Sequence, residues 1–216
     1  IAQGVDSPWG VAYDLAYNTV WVSSPSAVWN GLDALFEFRL DGISTGRSYP
    51  HNLPHTYGPA DLAVNWHTGR IWVMNINTGI ANCIYEVDTE TGYTGVSICP
   101  GGETGFSISQ RGLAYDPDTD TWFAGGWNDL MIYRFDSQGT ILSAVNVGLA
   151  ISGLAYNPQT QHLFVMVNDN PNPVYVLDAA NQFALVGQFN ISQGFEAFSG
   201  SGMEFDCDGN LWAVDQ

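Results

Sequence analysis

Lysine is missing altogether. The five basic residues of the 216-residue chain are all arginine and stand against 22 aspartates and glutamates, for a formal net charge of −17. Such a chain is repelled by nucleic-acid phosphates and by anionic membrane surfaces, so neither is expected as a partner. Long apolar runs are missing too. No stretch approaches the ~18 consecutive apolar residues of a membrane-spanning helix. The most apolar segment, Ile141 to Tyr156, is interrupted by Ser143, Asn146, Gly148 and Ser152 and reads as two strands and a loop, so no membrane insertion is expected. No charged-then-apolar leader opens the chain, and Ile1 in place of methionine reads as a processed or chosen start. H-E-x-x-H, a phosphate loop and G-x-G-x-x-G are absent, and the four histidines, His51, His55, His67 and His162, are scattered. With 45% hydrophobic residues the chain has enough apolar material for a packed core and too much for disorder.

Cysteine is scarce: Cys83, Cys99 and Cys207. The first two flank a hairpin around Thr89-Glu90-Thr91-Gly92, and its loop length decides whether they meet. A three-residue loop with Gly92 left-handed pairs Thr89 with Tyr93 and sets Cys83 opposite Cys99, close enough for a disulfide. A four-residue loop pairs Asp88 with Tyr93 and sets Ile98 there instead, leaving two buried thiols. A bridge would argue for an oxidising compartment. Cys207 has no evident partner.

What the chain does have is a repeat. Five segments align: Trp9-Gly10-Val11-Ala12-Tyr13-Asp14, Ala60-Asp61-Leu62-Ala63-Val64-Asn65, Arg111-Gly112-Leu113-Ala114-Tyr115-Asp116, Ser152-Gly153-Leu154-Ala155-Tyr156-Asn157 and Ser201-Gly202-Met203-Glu204-Phe205-Asp206. Each apolar strand ends in Asp or Asn and a tight polar turn. A second strand follows with an aromatic at nearly the same place: Trp21, Trp72, Trp122, Phe164 and Trp212. The third ends in aromatic-x-x-Asp (Phe38 to Asp41, Tyr85 to Asp88, Tyr133 to Asp136, Tyr175 to Asp178), and a short turn leads to a fourth.

Four strands per unit and a period of 41 to 51 residues describe β-propeller blades. The expected fold is all-β, with four full four-stranded antiparallel blades and a partial fifth, over repeats 9–59, 60–110, 111–151, 152–200 and 201–216. The aromatics are expected to fill the spaces between blades, and the strand-end Asp and Asn to bond turn amides. The half repeat at the end leaves two arrangements: a five-bladed ring with an incomplete blade, or a segment of a longer propeller. The second is favoured because an open second strand leaves an unpaired edge. That edge makes self-association through the last blade a further expectation.

Gly112 to Phe123 with Ile132 to Asp136, and Gly153 to Val165 with Val174 to Asp178, follow G-[LIV]-A-[YVF]-[DN]-P-x-[TG]-x-x-[LIV]-[WYF]-[VA] and then I-Y-x-[FVL]-D. In this the chain resembles bacterial secreted propellers with NHL, YVTN or streptogramin-lyase-like repeats. The resemblance covers nearly the whole chain, more loosely in the other three repeats. It implies an extracellular or cell-surface module, of a kind found as accessory domains, surface modules and a few lyases or lactonases. Fold alone does not choose among these.

Propeller geometry puts the second-to-third loops and the inter-blade loops on one face, where length and chemistry vary. Candidate ligand-binding residues there are Trp29, Asn30, Asn75, Asn77, Trp127, Asn128, Asp129, Asn168 and Asp169, since flat indoles beside amides suit a sugar or peptide. Asp116-x-Asp118-x-Asp120 and Asp206-x-Asp208-x-Asn210 space three oxygens as a calcium loop does, but lack the glycine and distal glutamate of that pattern, so no cofactor is expected, with calcium at these segments the alternative. His51-x-x-x-His55 lies in a proline-broken loop rather than on a helix. No catalytic set is assigned. The expected function is a non-catalytic extracellular module for binding or scaffolding, part of a larger secreted or surface protein, that takes a protein, peptide or carbohydrate on its loop-rich face. The alternative is a metal-dependent propeller hydrolase or lyase with its site at the channel mouth.

Overall fold

In the computed structural model, residues 5, 7–25, 33–53, 58–76, 82–103, 105–191 and 193–216 are described. Trp29, Asn30, His55 and Asn77 lie outside them. Blade 1 is β1 (Gly10–Asp14), β2 (Thr19–Ser24), β3 (Ala34–Arg39) and β4 (Ser44–Pro50), and blade 2 is β5 (Gly58–Asn65), β6 (Arg70–Ile76), β7 (Ile84–Asp88) and β8 (Gly92–Ile98). Blade 3 is β9 (Gln110–Asp116), β10 (Thr121–Gly126), β11 (Met131–Asp136) and β12 (Ile141–Asn146). Blade 4 is β13 (Ile151–Asn157), β14 (His162–Val167), β15 (Pro173–Asp178) and β16 (Ala184–Asn190), and blade 5 is the pair β17 (Gly200–Phe205) and β18 (Leu211–Asp215). Each blade is an antiparallel meander in chain order. Burial falls from the first strand to the fourth: β1 is buried throughout, whereas β16 is almost wholly exposed.

The inner strands meet in a closed circle, β1 to β5 to β9 to β13 to β17 and back to β1. Five hydrophobic clusters fill the five spaces between neighbouring blades. Blade 5 closes on blade 1 through Gly202 N–H, which donates to Trp9 O at 2.7 Å, and through Val214 and Trp212 packed against Val11, Val20 and Phe38.

The strand-2 aromatics are the mortar expected of them, with one correction. Register defines the position: Ala12, Ala63, Ala114, Ala155 and Glu204 lie opposite Trp21, Trp72, Phe123, Phe164 and Trp212. Each of these five packs forward onto the next blade. In blade 3 the repeat aromatic is therefore Phe123, not Trp122. A one-residue offset reverses the face, so Trp122 points back at blade 2 and meets Trp72 with ring centroids 5.3 Å apart.

Turn chemistry follows the strand-end carboxylates and amides. Asp14 Oδ1 accepts from the backbone N–H groups of Ala16 and Tyr17, and Asn65, Asn157 and Asp206 repeat the pattern. Cys83 and Cys99 are joined, with Cα atoms 4.4 Å apart. The hairpin reaches that register by a different route from the one expected. Asp88 pairs with Gly92 and Val87 with Tyr93, so the loop is Thr89-Glu90-Thr91 and Thr89 does not face Tyr93. A bulge then shifts the register, and Tyr85 meets Ser97 and Ile84 meets Ile98. Gly95, at φ +87°, supplies the left-handed residue of this bulge. Cys207 is unbridged and exposed.

Candidate binding face

At the axis the five inner strands come together at one layer of the repeat, formed by Gly10, Asp61, Gly112, Gly153 and Gly202. A Cβ on Gly10 would stand 2.7 Å from Asp61 Cα, one on Gly153 2.6 Å from Gly202 Cα, and one on Gly202 2.7 Å from Gly10 Cα. Backbones this close exclude side chains at four of the five positions. The one side chain present, Asp61, closes the axis. Its Oδ2 accepts from Leu113 N–H at 3.1 Å and Leu154 N–H at 3.0 Å, and its Oδ1 from Leu62 N–H at 3.0 Å. Inner strands have no strand partner on the axial side, and the carboxylate satisfies amides of blades 2, 3 and 4 at once. Glu204 does the same two residues further along the repeat, where the other four carry alanine. Its Oε2 accepts from Val64 N–H and its Oε1 from Phe205 N–H, each at 3.0 Å. Burial pushes Glu204 up to about 8 against its two amide donors. Burial also pushes Asp61 well above the usual carboxylate range, against three amide donors and with Glu204 adding to the rise.

One residue nearer the loop-rich face, the repeat carries Trp9, Ala60, Arg111, Ser152 and Ser201. Three repeats have a small residue there. The other two place a half-buried indole and a half-buried guanidinium at the mouth of the axis. The Arg111 guanidinium carbon lies 5.0 Å from the Trp9 ring centroid and 4.6 Å from that of Trp127, in the β10–β11 loop. Burial lowers the Arg111 pKa. Beneath Trp127 the loop is pinned by Asp129. Its Oδ2 accepts from Gln110 Nε2 and Tyr133 Oη, both at 3.0 Å, and its Oδ1 from Met131 N–H at 3.3 Å. Gly126 permits this approach, because a Cβ there would collide with the Asp129 carboxylate.

The other arginines are spent on the protein's own carboxylates: Arg39 on Asp41, Arg47 on Glu37, Arg70 on Asp88 and Arg134 on Asp116. In the Asp116-x-Asp118-x-Asp120 segment, Arg134 Nη2 lies 2.7 Å from Asp116 Oδ2. Asp120 accepts from Tyr115 Oη at 2.7 Å. In the second such segment Asp206 is committed to the Asp208 and Asn210 amides and to Trp212 Nε1.

His51 is buried between blades 1 and 2. Its Nε2–H donates to Asn75 Oδ1 at 3.0 Å and its Nδ1 accepts from Tyr93 Oη. Burial lowers its pKa to about 4, against the Asn75 bond, so the ring is neutral with both nitrogens occupied. Burial, with Asp33 nearby, raises Tyr93 well above its ordinary value.

The candidate residues thus separate. Trp127, Asn128 and Asp129 come together beside Arg111 and Trp9, with Asn128 exposed and Asp129 holding the loop. Asn75 is fully buried and serves His51. Asn168 and Asp169 lie at the blade 4–blade 5 junction, where Asn168 Nδ2 donates to Gln216 Oε1 at 3.3 Å and Asp169 Oδ1 accepts from Asn170 N–H at 2.7 Å. Arg111 and Trp9 are the residues that sequence reasoning missed. The signal for them was a departure from the small residue at their repeat position. Gly42-Ile43-Ser44-Thr45-Gly46 matches the hydrolase pattern G-x-S-x-G in letters alone. Ser44 opens the exposed strand β4 and its Oγ accepts from Gly46 N–H at 3.1 Å, in a hairpin rather than a strand-to-helix turn.

No protein-family model and no curated protein matches the sequence. Solved structures share the fold. A chain of the nidogen/laminin complex matches with a TM-score of 0.63 at 17% identity, over 96% of this chain and 72% of that one. A streptogramin B lyase matches at 0.57 and 16%, over 100% and 64%. A protein of unknown function from Bacteroides caccae matches at 0.63 and 13%, over 99% and 72%. The chain therefore spans less than two thirds of the lyase. At these identities the likeness is one of architecture, and at that level the resemblance to propeller repeats holds.

Proposed function

We propose that the chain is a non-catalytic, extracellular binding module that engages a protein or carbohydrate partner on its loop-rich face. The observation that carries this reading is the division of labour between axis and mouth. The axial carboxylates Asp61 and Glu204 have every oxygen engaged by backbone amides, whereas Trp127, Asn128 and Arg111 present aromatic, amide and cationic groups at the surface above them. The disulfide supports an oxidising compartment, and the likeness to a chain of a nidogen/laminin complex supports a protein partner. The reading calls for no cofactor. The metal-dependent hydrolase or lyase alternative draws on the likeness to a streptogramin B lyase and on two carboxylates near the axis, but these are buried and hydrogen-bonded as a structural plug. Self-association through the outer edge of β18 is part of the same proposal. The test is binding of the purified chain to glycan and matrix-protein arrays, alongside assays with ester, lactone and glycan substrates. Saturable binding weakened by Trp127→Ala is expected. Steady turnover lost on substitution of loop-face residues would overturn it.

A further inference from the structure

We propose that Arg111, held against Trp9 and Trp127 at the mouth of the axis, receives a single carboxylate of the ligand, presented by an acidic carbohydrate. This rests on the loop face being a binding face and names the chemistry of its partner. In a chain with 22 acidic and five basic residues, a cation without a carboxylate is conspicuous. Four arginines have one, and among the described residues Arg111 meets only ring faces. An indole face attracts the cation but offers no oxygen to its five N–H donors, whose fork matches a carboxylate in two parallel bonds. Trp9 Nε1, in the ring that Arg111 covers, is buried with no acceptor among the described residues, as is Trp72 Nε1 in the core, and Gln110 Oε1 is buried without a donor. The unfilled guanidinium donors of Arg111 call for an acceptor that is anionic.

The charge of that acceptor is bounded. One guanidinium balances one negative charge, and the net negative charge of the rest of the chain opposes a dianion such as phosphate or sulfate more than a carboxylate. The carrier is read from the neighbours. Trp127 is half-buried with Asn128 exposed next to it, a flat ring beside an amide, which suits a pyranose.

The probe is a trigalacturonate, compared with its fully methyl-esterified form, inorganic phosphate, and a short peptide whose acidic group is its terminal carboxylate. Tryptophan fluorescence and the NMR signals of the arginine Nε–H and indole N–H groups report binding. The trigalacturonate is expected to bind saturably and to lose about tenfold or more in affinity on esterification and in R111Q. R111K, which keeps the charge but not the fork, is expected to restore little. Thermal unfolding of both variants checks that they fold. Equal binding of acid and ester, or unchanged binding by folded R111Q and R111K, overturns the carboxylate receptor while leaving a binding face in place. Tighter binding of phosphate overturns the charge argument, and preference for the peptide overturns the carbohydrate. If no probe binds and the chain instead turns over a substrate, the binding-face reading falls with it.

Discussion

Asp61 and Glu204 show what a repeat protein does with its exceptions. Four glycines and four alanines set the spacing of the inner strands, and the two acidic departures occupy the space left at the axis. Both departures can be read off the aligned repeat, but only coordinates show that they face backbone amides rather than solvent or a metal. Asn75 is the reverse case: an amide on a variable loop reads as a ligand contact until its partner, a buried imidazole, is seen. Glu204 and His51 also bound the pH range of stability. Glu204, raised from 4.5 to about 8, is held neutral by the fold, so its contribution is present below about pH 4.5 and is lost as pH rises toward 8. His51, lowered from 6.5 to about 4, contributes above pH 6.5, and that contribution is lost as pH falls toward 4. Glu204→Gln, which cannot accept both amides, is expected to be less stable at pH 5 by about 1 kcal/mol. It should also lose less stability than the wild type between pH 6 and 9. Urea unfolding across that range decides it, and parallel pH profiles would remove Glu204 from the titration. NMR of the His51 ring nitrogens should show no protonation above about pH 5.

At the scale of strands, periodicity and turn residues located the four-stranded units, while register was legible only in part. Trp122 was aligned with the other strand-2 aromatics because tryptophan is conspicuous. The spacing from the preceding strand-end Asp or Asn, seven residues to Trp21, Trp72 and Phe164, selects Phe123 in blade 3. The β7–β8 hairpin taught the same lesson. The turn and the bulge each displace the register, and their sum, not the loop alone, brings Cys83 to Cys99. Bulges were invisible in the sequence because a left-handed Gly95 is spelled like any other glycine. The bridge closes a loop of 16 residues, and reduction with alkylation is expected to destabilise the chain by about 3 kcal/mol. Denaturant midpoints with and without reductant measure this. A loss well under 1 kcal/mol would mean that the β7–β8 ladder holds that geometry unaided.

For the molecule as a whole, blade 5 meets blade 1, among the described residues, by side-chain packing and by one short backbone bond, Gly202 N–H to Trp9 O. Blades 1 to 4 shield their inner strands with two outer ones; β18 has no strand beyond it among the described residues. The consequence is a cleft of about 650 Å³ between blades 5 and 1, walled by Val11, Val20, Phe38 and Trp212 and by the polar Ser7, Gln193, Asp215 and Gln216. An open strand edge favours pairing with another strand, and a second copy offers the same edge for an antiparallel, two-fold arrangement. Opposing this, each copy carries −17, so the repulsion between copies is long-ranged at low ionic strength and shortens to about 10 Å at 0.1 M salt. Association should therefore rise with both protein concentration and salt. Light scattering coupled to size-exclusion chromatography, run from micromolar to near-millimolar protein at two ionic strengths, is expected to show monomer giving way to dimer as either increases. A mass that stays at one copy under every condition would mean that charge outweighs the exposed edge.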